Sequence, residues 1–386
     1  MSWNLKRWLA HPLFPLGLLG TALIVILYAL VPYSLGYGQK AASVFYNLWV
    51  MWHTTPDWEH CQLVPAVALG ILYWNFEREK GRDIEFKSLD FIIYAVLTVG
   101  FVVACFERLP LLAVPSLLGL IAHVFLGRDR CADVTITSDY RAGILLFLAL
   151  LWYWIGYKID VLQLSFLSLH FTLGAMIVWF FGWNFMRKIA FPYAFLFFAW
   201  PIPILDSLAF KLRIIMSELS YQFLKIIGID VLRIGTAIIS APDFASGIAQ
   251  GAKFSLDVAD PCSGIRSLFA LTMVAALFAY FTQKSLWKQL VIVVCAVPLA
   301  VAGNFVRILM LTFGTMLFGN EFAIGTLEHP SFYHMLSGYV VFIVALGGMV
   351  TLGWLLSDGW KVVLVLCGLK DKSFIKPVEK MGRSES

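Results

Sequence analysis

Residues 260–281, DPCSGIRSLFALTMVAALFAYF, set a short polar segment against an apolar run, and this junction decides how the rest of the chain is read. Phe269 to Phe281 carries no charge, and the run from about 264 to 282 approaches the roughly 20 apolar residues that a membrane-spanning helix needs. Pro261 suits the first turn of such a helix, where its missing N–H is no loss. Cys262 would then stand at a helix N-terminus, with Arg266 four residues on and on the same face. A helix N-terminus and a permanent cation are both settings in which a cysteine is held as the reactive thiolate. The alternative is a small residue in a helix packing face, and this stretch alone leaves both open.

Outward from this junction the composition points the same way. The chain has 386 residues, 60% of them hydrophobic and 14% charged, which is the balance of a polytopic membrane protein rather than a soluble core. The formal net charge is +5, and the basic residues cluster in short loops between apolar runs. They read as topology markers, which argues against nucleic acid as a partner. Six cysteines, Cys61, Cys105, Cys131, Cys262, Cys295 and Cys367, are scattered without paired spacing, against a metal cluster or a disulfide framework. No cofactor is implied. The first apolar run is long and no small-residue cleavage site follows it, so it is expected to stay as an anchor.

About ten spans are expected, with both chain ends on the cytoplasmic side. Lys6 and Arg7 precede the first, roughly 13–35, and an aromatic-rich outer loop runs from about 36 to 60. A second span, about 61–76, returns to the charged loop Glu77 to Arg82. A hairpin of spans at about 90–106 and 109–126 delivers Arg128, Arg130 and Arg141 to the same side, and spans at about 143–157 and 162–184 bring Arg187 and Lys188 there. The seventh, about 189–206, ends in Trp200-Pro201-Ile202-Pro203. Residues 207–261 form the longest non-spanning stretch. An amphipathic helix through Leu212, Ile215, Leu219 and Phe223 is expected first, then short strands around Val231–Ile234, Ala237–Ile239 and Phe254–Val258. This segment reads as a small extracytoplasmic cap feeding into Cys262, or as an ordinary loop on the bilayer. The eighth span, about 264–282, runs inward. The ninth starts near 289 and passes Pro298 and Arg307, and the tail Ile308 to Phe318 either prolongs one helix or forms a re-entrant piece. The tenth, about 334–356, leads to a basic cytoplasmic tail over 357–386. The fold class is thus an all-α integral membrane bundle, and residues 1–386 form a single membrane domain.

With this topology Cys262 begins span eight, Arg307 lies near the outer end of span nine and His334 begins span ten, all at one depth on the outer face. A charge inside a span costs roughly 2.5–3.5 kcal/mol on insertion scales and marks a functional site by default, although an arginine near a helix end also snorkels to headgroups. His329 is a rival to His334. Together the three support one chemistry. A thiolate attacks a carbonyl, the histidine protonates the leaving amine and later activates an acceptor, and the arginine meets the oxyanion. No phosphate loop, metal-spaced cluster or Gly-x-Ser-x-Gly elbow competes.

Cys262-Ser263-Gly264-Ile265-Arg266-Ser267-Leu268, Asn304-Phe305-Val306-Arg307 and His334-Met335-Leu336-Ser337-Gly338 resemble the motifs of the exosortase/archaeosortase membrane transpeptidases. Asp57-Trp58-Glu59-His60 before Leu63-Val64-Pro65, and Pro201-Ile202-Pro203, are weaker signposts, so the resemblance covers about residues 55–356. It implies Cys262 as nucleophile, Arg307 as the site arginine and His334 as general acid/base. It also implies exported protein substrates carrying a C-terminal sorting signal, such as Pro-Glu-Pro followed by an apolar span and basic residues, and transfer to a lipid or glycan acceptor. The spacing of Gly338 favours His334 over His329. Two other classes fit the composition: a polytopic transporter, and a structural or polymerase component of an exopolysaccharide export system.

Overall fold

The computed structural model describes residues 14–33, 42–54, 56–126, 139–201, 204–242, 247, 249–252, 254–257, 264–326 and 329–359, with the side chains of all of these except 56, 57, 204–210, 213, 257, 264–267 and 358. Lys6, Arg7, Arg128, Arg130, Cys262 and the basic tail beyond 359 lie outside the described residues. The protein is a helical membrane protein. Among the described residues five helices are long and apolar enough to cross a membrane: Leu89–Phe106, Ala142–Ile159, Leu162–Lys188, Leu286–Phe318 and the run Phe332–Ser357. Four shorter apolar helices accompany them. The chain divides into two compact units, Met1–Pro203 and Ile204–Ser386.

In the first unit, α1 (Phe14–Ala29) leads to α2 (Val44–Thr54), a 3-10 helix (Pro56–Leu63) and α3 (Val64–Glu79). The loop expected over about 36–60 therefore contains a helix. Its signal is Val44, Leu48 and Trp52, buried at a four-residue spacing, with the Trp52 indole N–H donating to the Ala199 carbonyl at 2.9 Å. The run of aromatics obscures that spacing in the sequence. Next come α4 (Leu89–Phe106) and α5 (Pro110–Leu126), α6 (Ala142–Ile159), α7 (Leu162–Lys188) and the short α8 (Ala190–Phe195), which ends in a 3-10 turn (Leu196–Ala199). Ser88 caps α4 by accepting the N–H of Phe91 at 3.2 Å. Asp160, in the left-handed region at φ 58°, turns α6 into α7. Two apolar cores result, one around Leu72, Phe76, Val124 and Phe185, the other around Ala66, Phe101, Ala104 and Leu120.

The second unit opens with α9 (Ile204–Ile226), followed by an antiparallel sheet in the order β1 (Val231–Ile234), β2 (Ala237–Ser240), β3 (Ser255–Asp257). These strands fall where the short apolar stretches between turn residues place them. Val231 pairs with Ser240, and Ile239 with Ser255. Then come α10 (Gly264–Thr282), α11 (Leu286–Phe318), the single turn α12 (Asn320–Ala323) and α13 (Phe332–Trp354). The question of a re-entrant tail is answered by α11, one continuous helix of 33 residues in which Pro298 causes no break. At 1.5 Å per residue it runs about 50 Å, well beyond a hydrocarbon core of about 30 Å.

Two cores pack this helix. Its last third is covered by the sheet and α9, because Ile308 and Leu311 bury against Met216, Leu224, Ile238, Phe254 and Leu256. Its earlier part meets α10 and α13 through small residues, Ala275 and Ala279 facing Ala296 and Ala300, with Val341 and Ala345 completing the cluster. Small side chains let membrane helices approach closely where apolar area alone gives no driving force. Closest of all is Gly303, where a Cβ would lie 2.8 Å from the carbonyl oxygen of Val341 and 3.0 Å from its Cγ1. Gly303→Val is accordingly expected to push α11 from α13 and to destabilise the protein by about 1–3 kcal/mol, the usual cost of overpacking. A lowered thermal midpoint of the detergent-solubilised protein checks this. Gly338→Ala, where nothing lies within 4 Å of an added Cβ, should not lower the midpoint.

Candidate active site

The site is built from α13 upward. Gly325 has φ +78° and approaches Ser331 so closely that a Cβ there would lie 2.5 Å from the Ser331 nitrogen. The N–H of Ser331 donates to the Ile324 carbonyl at 3.0 Å, which ties this turn to the end of α12. Ser331 then caps α13, its Oγ accepting the His334 N–H at 3.0 Å, so His334 occupies the first turn of the helix. Tyr333, beside it, donates its hydroxyl to the Met310 carbonyl of α11 at 2.9 Å. The cap, this bond and the close approach at Gly303 hold α13 in register against α11.

Arg307 of α11 answers that register. Its Nη2 lies 3.1 Å from His334 Nε2, and its Nε donates to Ser337 Oγ at 3.3 Å. Ser337 in turn donates its hydroxyl to the His334 carbonyl at 2.7 Å, and is fully buried. A guanidinium has donors and no acceptor, so in this contact Nε2 of His334 must be the acceptor. The proton of the neutral ring then sits on Nδ1. That atom is buried and has no hydrogen-bond partner among the described residues. A buried donor left unpaired costs about 1–3 kcal/mol, and a protein retains one where something else calls for it.

Two of the three expected site residues are therefore in direct contact. Cys262 lies outside the described residues, as does the side chain of Arg266. The elements on either side of Cys262 in the chain, β3 and α10, both pack on α11: Leu256 against Ile308, and Leu268 and Leu271 against Ala296 and Ala300. His329 lies exposed in the turn before α13. Sequence reasoning placed Arg307 and His334 at one depth without the bond between them, and gave no role to Ser331 or Ser337. The signal for both was present, since residues three apart share a helix face and a serine three residues before a helical position is a ready cap.

This arrangement can hold an imidazole in one tautomer and keep a cation beside its Nε2. A family model described as transmembrane exosortase matches residues 111–351, more than half of the chain, from α5 through α13. No curated protein and no solved structure matches it.

Proposed function

The chain belongs to the transmembrane exosortase family, whose members are cysteine transpeptidases, and on that premise we propose that it cuts the C-terminal sorting signal of exported proteins with Cys262, Arg307 and His334. The observation that carries this reading is the 3.1 Å contact of Arg307 with His334, two groups 27 residues apart that pair between the interior of α11 and the first turn of α13. Packing of both chain neighbours of Cys262 on α11, the helix of Arg307, supports the same site.

The chemistry follows from the contact. His334 can accept the thiol proton of Cys262 only at Nε2, since Nδ1 already carries one, so Arg307 leaves Nε2 as that proton arrives. The thiolate attacks the scissile carbonyl carbon, and the displaced guanidinium meets the oxyanion that forms. When the tetrahedral intermediate collapses, the C–N bond breaks and the amine takes its proton from the His334 imidazolium, leaving a thioester on Cys262. A lipid, glycan or water acceptor then gives its proton to His334, attacks the thioester and frees the thiol.

The topology proposed for this reaction has about ten spans in a single membrane domain. The segment 207–261, α9 and the sheet included, forms an extracytoplasmic cap, the tail 357–386 is cytoplasmic, and the substrate tail enters laterally between spans of the cytoplasmic membrane. Co-expression with a secreted reporter bearing a Pro-Glu-Pro-type signal, an apolar span and basic residues tests it. Shortened reporter in cells with the wild type is the expected result. Full-length reporter throughout, together with solute uptake into proteoliposomes of the purified protein, would replace the enzyme reading by a transporter.

A further inference from the structure

Among its contacts with described residues, the guanidinium of Arg307 meets Ser337 and His334, and of these two only His334 has to let go. In the sequence of proton transfers proposed above, Nη2 must leave His334 Nε2 and return to it in every cycle. Ser337 Oγ has no such duty. Its single proton is committed to the His334 carbonyl at 2.7 Å, so what it presents to Arg307 Nε at 3.3 Å is a lone pair. Because that proton is committed to the main chain of α13 and the residue is fully buried, the lone pair cannot rotate away. We infer that Ser337 is the positioning residue of the site, a fixed anchor for Nε about which the Nη2 end of Arg307 swings between the imidazole and the reacting carbonyl oxygen. This rests on the transpeptidase reading for its catalytic meaning, but the anchoring itself is a property of α11 and α13.

The geometry argues against a merely structural role for the hydroxyl. A serine that only satisfied its own helix would need the His334 carbonyl and nothing else, as Thr351 does with Gly347 at 2.8 Å and Thr272 with Leu268 at 2.7 Å. Ser337 bonds its helix and in addition meets Arg307, which touches His334. Losing one hydrogen bond to a charged group predicts a fall of about tenfold or somewhat more in the rate of processing.

Two readouts on the full-length protein in lipid nanodiscs test this together. The first is the rate of reporter cleavage by Ser337→Ala and Ser337→Thr, alone and combined with Arg307→Ala. The second, independent of activity, is the ¹⁵N resonance pattern of the His334 ring in histidine-labelled protein, which separates the Nδ1–H tautomer from a tautomer mixture. The wild type should show the Nδ1–H tautomer. Ser337→Ala should cleave about tenfold more slowly and show a mixture, Ser337→Thr, which keeps the hydroxyl, should stay close to wild type on both, and Ser337→Ala should cost nothing further once Arg307 is gone. A Ser337→Ala protein that keeps the wild-type tautomer overturns the anchor whether or not the reporter is cut. So does a threonine variant as impaired as the alanine one, or a serine effect that persists without Arg307. A reporter left intact by the wild type, with the tautomer still lost in Ser337→Ala, overturns the transpeptidase reading and leaves the anchor in place.

Discussion

Cys262→Ala is expected to abolish tail removal, a fall on the order of 10³-fold or more, in a protein that still reaches normal levels in the membrane. In the proposed mechanism, removing Sγ removes the atom that carries the acyl group. Among the described residues Cys61 and Cys105 are fully buried in the first unit and Cys295 is partly buried within α11, so none of these three thiols is poised to take over. Cys262→Ser should be nearly as inactive. A serine hydroxyl is a far weaker nucleophile at neutral pH than a thiol and needs a base to activate it, and here Nε2 of His334 is engaged by Arg307 until the proton moves. Immunoblotting of the reporter beside the membrane-inserted variant checks both. If alanine at 262 cut the reporter at the wild-type rate, the cysteine would be a packing residue.

Arg307 is the second large effect. Arg307→Ala should slow processing by about 10²–10³-fold, the cost seen when one oxyanion donor is removed. The more informative variant is Arg307→Lys. Lysine keeps the charge but offers a single nitrogen, so it cannot place one donor on Ser337 Oγ and another on His334 Nε2. It should recover about a tenth of the activity or less. An arginine that only snorkels to headgroups would be replaced by lysine without loss, because the ammonium reaches the interface equally well. Steady-state cleavage by the two variants therefore separates a catalytic fork from an interfacial anchor.

How much of this was legible beforehand follows from the physics of each signal. Helices such as α4, α6 and α7 sit where long apolar runs require them, since nothing but a helix satisfies its own backbone in lipid. The three strands followed from short apolar stretches set off by Pro242, Gly247 and Gly251. The loop expected at 36–60 hid α2, because its aromatics mask a four-residue period that only burial of Val44, Leu48 and Trp52 exposes. The continuity of α11 was equally hidden: an apolar tail beyond Arg307 reads alike as a re-entrant piece or as a helix covered by a cap. What distinguishes them is the packing of Ile308 and Leu311 beneath the sheet, a contact between segments some 50 to 80 residues apart. At the site, the residue types Arg307 and His334 were readable. Their bond was not, because it depends on the rotation of α11 against α13, which Gly303 sets by close approach to Val341. Ser337 stood in a quoted motif, yet its role rests on which way its hydroxyl donates.

The central claim is that the acyl group of a cut reporter passes through Cys262. The most direct test mixes purified wild-type protein in nanodiscs with a reporter peptide, quenches in acid within the first turnover, and maps the protein by mass spectrometry. A reporter fragment joined to the peptide containing Cys262, released by hydroxylamine and absent from Cys262→Ala, is the predicted result. Reporter cleavage with no such adduct, at a rate unchanged in Cys262→Ala, would contradict it.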